Sequence, residues 1–99
     1  MRHRVARLAD LPETVGWCIE VAGREIALFR AGDRVTALDN VCPHRGAALA
    51  WGEVRDGVVF CPLHAWPFEI DTGRCPEFPG VAVDTYPVTV EGGDVYVEL

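Results

Sequence analysis

The chain has 99 residues, 49% of them apolar, which is enough for one compact domain and one core but little beyond it. Its formal net charge is −6, its nine basic residues are all Arg, and Lys, Ser and Gln are absent. That acidic balance argues against nucleic acid and anionic membrane as partners and suits docking to a basic patch on another protein. Positive charge at Arg2, Arg4 and Arg7 is not followed by an apolar run, so no signal peptide is expected. No stretch approaches the length of a membrane span. The expectation is a soluble cytoplasmic protein whose four cysteines stay reduced or metal-bound.

In chain order, residues 5–8 predict a first strand, ended by Asp10-Leu11-Pro12. Residues 17–22 and 25–30 predict a hairpin around Gly23-Arg24. The turn Ala31-Gly32-Asp33 then leads into a strand over 34–38. Residues 47–51 are the one helix-compatible piece. Residues 58–60 and 66–70 read as further strands, the latter closed by Asp71-Thr72-Gly73-Arg74. At the C-terminus Tyr86, Val88 and Val90 alternate with Thr85, Thr89 and Glu91. After Gly92-Gly93 the alternation resumes, with Val95, Val97 and Leu99 against Asp94, Tyr96 and Glu98. Period-two alternation around Gly-Gly predicts a hairpin with one buried face. Short strands between Gly/Pro turns predict an all-β sandwich or small barrel, and nothing divides residues 1–99 into more than one domain.

Two motifs interrupt this pattern: Cys42-Pro43-His44-Arg45-Gly46 and Cys61-Pro62-Leu63-His64. Structural zinc is one reading, giving a zinc-stabilised interaction module. Zinc, however, draws four ligands onto one ion and usually takes Cys-x(2–4)-Cys with His-x(3–5)-His. In extended backbone Cys42 and His44 lie roughly 6.6 Å apart, at about 3.3 Å per residue, and Pro43 stiffens the turn needed to close them on one ion. A two-iron cluster removes the difficulty, because each loop can give its Cys to one iron and its His to the other. The 16 residues between His44 and Cys61 let two separate loops approach from opposite sides.

These two motifs, with the aromatic run after the second, resemble the Rieske family over essentially the whole chain. The resemblance implies an antiparallel β-sandwich carrying a small cluster-binding subdomain, roughly residues 40–80, and one [2Fe–2S] cluster. Cys42 and Cys61 would bind one iron and His44 and His64 the other, through Nδ1. A third, proline-containing loop covers the cluster in this family, and Glu77-Phe78-Pro79-Gly80 matches it. Ala65 stands where many members have Gly; if that position needs positive φ, Ala costs about 1 kcal/mol. Arg45, Gly46, Ala65, Trp66, Phe68 and Pro79 are the residues expected around the ligands. High-potential members add a disulfide and Ser and Tyr hydroxyls aimed at the sulfurs. Here Ala47 and Leu63 replace those cysteines, Trp66 the Ser and Phe68 the Tyr. A potential near the low end of the Rieske range is therefore expected.

The resemblance then implies one of two roles. The first is a ferredoxin passing single electrons from a flavin-containing reductase to a terminal oxygenase. The second is the small subunit of a cytoplasmic NADH-dependent nitrite reductase, partnered by a sirohaem large subunit. The closing Thr85-Tyr86-Pro87-Val88 stretch resembles the second group. No substrate site of its own, and no nucleic-acid or membrane partner, is expected.

Outside the motifs, Cys18 is expected to be a small core residue and Cys75 a buried or idle thiol. His3 is expected to be solvated at a frayed end. Trp17, Trp51, Trp66, Phe60 and Phe68 are expected to pack rather than conduct electrons. Glu53, Asp56, Glu69, Asp71, Glu77 and Asp84 read as solvated loop charges, with an acidic docking face as the sharper reading.

Overall fold

Tight two-residue turns at 22–23, 32–33, 56–57 and 92–93 fold the chain back on itself in four hairpins. The computed structural model describes residues 1–42, 46–63 and 65–99. In order the strands are β1 (Arg2–Arg7), β2 (Trp17–Val21), β3 (Arg24–Ala31), β4 (Arg34–Asp39), β5 (Glu53–Arg55), β6 (Val58–Phe60), β7 (Pro67–Glu69), β8 (Thr85–Tyr86), β9 (Val88–Glu91) and β10 (Asp94–Glu98). Short 3₁₀ turns occupy Leu8–Asp10 and Leu49–Trp51. Among the described residues the strand pairings are antiparallel and make three sheets, ordered β1-β10-β9, β2-β3-β4-β8 and β5-β6-β7.

The four-stranded sheet is the middle layer. On β3, Ile26 and Leu28 face a core shared with Val95 and Val97 of β10, while Ala27 and Phe29 face a second core with Val59, Phe68 and the buried cysteines. Successive strand residues point to opposite faces, so a strand buried on both sides reads as a continuous apolar run. The second core ties the β5-β6-β7 sheet, and with it the cysteine loops, to the rest of the molecule.

The all-β architecture agrees with the sequence, and several boundaries do not. The first strand is Arg2–Arg7, and Leu8 begins a 3₁₀ turn. His3 therefore sits half-buried in β1, opposite Val97, rather than at a frayed end. The first hairpin turns on Ala22-Gly23, because Val21 pairs directly with Arg24. Both turn residues have positive φ, 52° and 79°, the requirement of a type I′ turn. The C-terminal run splits at Pro87: Tyr86 pairs with β4, whereas β9 pairs with β10. Proline has no N–H and cannot continue a ladder, which frees the chain to change sheets. Strand β5 was not anticipated, although Asp56-Gly57 between Val54 and Val58 is a hairpin signal. The helix-compatible piece over 47–51 narrows to the 3₁₀ turn at Leu49–Trp51.

Candidate metal centre

The two cysteine motifs form tips closed by the same pair of backbone hydrogen bonds. The Cys42 N–H donates to the Ala47 carbonyl at 2.9 Å, and the Gly46 N–H donates back to the Cys42 carbonyl at 2.7 Å. In the second motif the Cys61 N–H donates to the Trp66 carbonyl at 2.8 Å, and the Ala65 N–H to the Cys61 carbonyl at 3.1 Å. Each tip thus spans six residues, begins with Cys, and places its fifth residue in the left-handed region: Gly46 at φ 73° and Ala65 at φ 55°. Ala65 therefore occupies a left-handed position that favours Gly, the condition under which the Ala carries a strain cost.

Sheet geometry brings the tips together. The second is the connection between β6 and β7, whose last ladder pair is Phe60 with Pro67. The first leaves β4 and returns through a single bridge, Val41 with Ala48, into the Leu49–Trp51 turn. Gly52, just beyond that turn, lies so close to the Phe60 backbone that an added Cβ would fall 2.1 Å from its carbonyl oxygen. Contact without a side chain is how the end of one tip is seated against the start of the other.

Both cysteine side chains are buried, Cys42 at 1% and Cys61 at 2% exposure, and neither is in a disulfide. Burial pushes the Cys61 thiol above its ordinary range, and the adjacent Cys42 side chain pushes it further, against a backbone hydrogen bond from the Leu63 segment. A buried thiol in apolar surroundings becomes a thiolate when a metal cation compensates the charge. Two soft sulfur donors meeting from separate tips, with an imidazole two or three residues along each in sequence, therefore fit an iron–sulfur group.

The predicted cover segment lies against the second tip. Arg74 bridges Ala82, the Cys75 N–H donates to the Val81 carbonyl at 3.0 Å, and the Val81 N–H to the Phe78 carbonyl at 3.0 Å. This folds residues 75–81 into a narrow loop carrying Pro79. Phe78 stacks on Trp66, ring centres 4.3 Å apart and planes 23° from parallel. Phe68 is fully buried beneath. His44, Arg45 and His64 lie outside the described residues.

Cys75 is buried, as expected, but Cys18 is not: it is exposed on the edge strand β2. Trp17 (45% exposed) and Trp51 (80%) are surface residues rather than packing residues. Of the acidic group, Asp56 lies in the β5–β6 turn, and Glu69 and Asp71 lie at or beyond the end of β7 remote from the second tip. Asp71 pairs with Arg34 at 2.9 Å, so these three form no acidic rim around the cysteines. The residue that sequence reasoning missed is Asn40, the single buried polar side chain among the described residues. An Asn two places before a Cys carries no signal until its partners are known.

Fold and site together define an all-β protein that brings two buried cysteines together from separate tips. A family model, the Rieske [2Fe-2S] domain, matches residues 1–87. The chain is 38% identical over 94 residues to the 3-phenylpropionate/cinnamic acid dioxygenase ferredoxin subunit of Escherichia coli (strain K12), covering 93% of this chain and 88% of that protein. It matches the ferredoxin of carbazole 1,9a-dioxygenase from Nocardioides aromaticivorans IC177 with a TM-score of 0.91 and 35% identity, over 98% of this chain and 96% of the other. A Mycobacterium tuberculosis chain assigned as the small subunit of an NADH-dependent nitrite reductase also matches at a TM-score of 0.91, with 30% identity over 98% and 93%. The chain belongs to the Rieske [2Fe–2S] domain family, and membership implies a [2Fe–2S] cluster.

Proposed function

We propose that Cys42, His44, Cys61 and His64 hold one [2Fe–2S] cluster, and that the chain is a ferredoxin component passing single electrons from a flavin-containing reductase to a terminal oxygenase. Once bound, the cluster supplies one-electron redox chemistry. The observation that carries the reading is the pair of matching tips, which set two buried cysteine thiols side by side from separate parts of the chain. Residues 40–80 are the cluster-binding part of a single domain spanning residues 1–99. Cytoplasmic residence belongs to the same reading, because the thiols must stay reduced to bind iron.

The chain's own residues shape the site. Phe68, Leu49, Val59 and Cys75 surround the cysteines with apolar surface, and Trp66 stacked under Phe78 shields the second tip. In high-potential relatives, by resemblance, hydroxyls stand where Trp66 and Phe68 are here. Fewer donors to sulfur stabilise the added electron less. The expected potential is near about −150 mV, the low end for this centre.

The ferredoxin role is favoured over the nitrite reductase subunit because the dioxygenase ferredoxin subunit of Escherichia coli is 38% identical, and because at the same TM-score of 0.91 the carbazole dioxygenase ferredoxin is 35% identical against 30% for the nitrite reductase chain. The test is purification under reducing conditions, followed by iron and acid-labile sulfide assays, EPR and protein-film voltammetry. A brown protein with equimolar iron and sulfide and a low potential supports the reading. A colourless zinc protein refutes it, and a value near about +300 mV refutes the low-potential claim.

A further inference from the structure

We infer that Asn40 is a positioning residue for the cluster: its buried amide locks the neck of the first tip and thereby sets where Cys42 stands relative to Cys61. The inference rests on the cluster-binding reading above and goes beyond it, since Asn40 is not among the proposed ligands.

Asn40 is 1% exposed, and every polar group it carries has a partner. Its backbone N–H donates to the Glu25 carbonyl at 3.0 Å, and its carbonyl accepts the Leu49 N–H at 2.8 Å. Its side-chain Oδ1 accepts the Ala50 N–H at 2.8 Å, and Nδ2 donates to Glu25 Oε1 at 3.3 Å and Cys18 Sγ at 3.4 Å. One residue therefore joins β3, the edge strand β2 and the Leu49–Trp51 turn. Beyond it the neck consists of the Val41–Ala48 bridge and the Cys42–Ala47 bond.

The held turn is the element that faces the second tip. Ala50 is wedged from below by Gly16, where an added Cβ would fall 2.8 Å from the Ala50 Cα and carbonyl oxygen. Two residues on, Gly52 rests on the Phe60 carbonyl, next to Cys61. A buried amide aimed at a backbone N–H is directional, whereas apolar packing is not. Removing it leaves the Ala50 N–H buried without a partner. The neck then keeps its backbone links alone, Leu49 to Asn40, the Val41–Ala48 bridge and Cys42 to Ala47, and the distance of Cys42 from Cys61 is held less tightly.

The experiment compares cluster-loaded wild type, Asn40→Ala and Val97→Ala. Val97→Ala removes buried apolar atoms in the remote core and controls for stability alone. Readouts are thermal unfolding, the EPR g-values and the rate at which visible absorbance is lost to EDTA. Asn40→Ala is expected to lose its colour about tenfold or more faster than wild type and to show shifted g-values. Val97→Ala is expected to be destabilised with unchanged g-values. Should Asn40→Ala match Val97→Ala in spectrum and bleaching rate, Asn40 is a structural residue and the inference fails. If Asn40→Ala does not fold, hydrogen exchange on the wild type decides. By reciprocal linkage, cluster loading must slow exchange of the Leu49 and Ala50 amides, and unchanged exchange overturns the inference. A wild type without iron or sulfide sinks the cluster-binding reading itself. A brown wild type with an indifferent Asn40 sinks this inference alone.

Discussion

The two cysteine tips are closed by the same pair of backbone hydrogen bonds but are framed differently. The second is framed by ladder strands on both sides, β6 entering and β7 leaving, so its ends are held before the tip begins. The first has β4 on one side and only a 3₁₀ turn on the other, with the buried amide of Asn40 in place of a ladder. Framing also explains why Ala is tolerated at the left-handed fifth position of the second tip, where the first has Gly46. Strain at one residue persists when its surroundings over-determine it. The lesson is that matching geometry does not imply matching support, and the two tips should respond differently to the same kind of change.

Ligand substitution should erase that difference. Cys42→Ala and His64→Ala are each expected to abolish the cluster, measured as iron and sulfide per chain and by EPR. Full retention in either variant would remove that residue from the ligand set. Next in size is Gly52→Ala, which forces a Cβ against the Phe60 carbonyl. It is expected to cost about 2–3 kcal/mol in chemical denaturation.

The left-handed positions sharpen the comparison directly. Among the described residues, chain neighbours aside, no atom lies within 4 Å of a Cβ added at Gly46, so Gly46→Ala should cost about 1 kcal/mol through backbone strain. Ala65→Gly should gain at most about 1 kcal/mol, less whatever the unfolded glycine gains in freedom. At roughly 4–8 °C per kcal/mol, opposite shifts in Tm are measurable. Equal signs would mean that the tips are not equivalent. Breaking the Trp66–Phe78 stack with Phe78→Ala should cost about 1 kcal/mol beyond the lost burial and affect the second tip selectively.

The smallest effect concerns pH in the cluster-free protein. Burial raises the Cys61 pKa, so the unfolded thiol, at about 8.5, ionises first. The stability due to this thiol is complete below that value and is lost as pH rises through the folded pKa. Cys61→Ala should flatten the alkaline fall in denaturation midpoint; an unchanged slope would contradict the assignment.

Much of this was legible in the residues themselves. The four candidate donors stand in two short motifs, and the cover loop and the Gly-like demand at Ala65 came from the family resemblance those motifs carry, because a motif is written within a few positions. The C-terminal hairpin follows likewise from alternation around Gly92-Gly93. What alternation leaves open is which face of a strand is covered, and by what. Cys18 alternates like a core residue yet lies exposed on β2, because an edge strand is covered less completely than a central one. Trp51 follows two fully packed residues but points into solvent. Tyr86 and Val88 belong to one apparent run but to two sheets, since Pro87 breaks the ladder and packing chooses each partner.

The sequence by itself therefore carried the proposed chemistry: the Cys and His donors of two short motifs. Only the tertiary structure decided that Cys42 and Cys61 meet, and that Asn40 fixes the neck between them. The physical reason is range: donors and turn preferences act over a few residues, whereas the spacing of two tips depends on strands and glycine contacts brought together from distant parts of the chain.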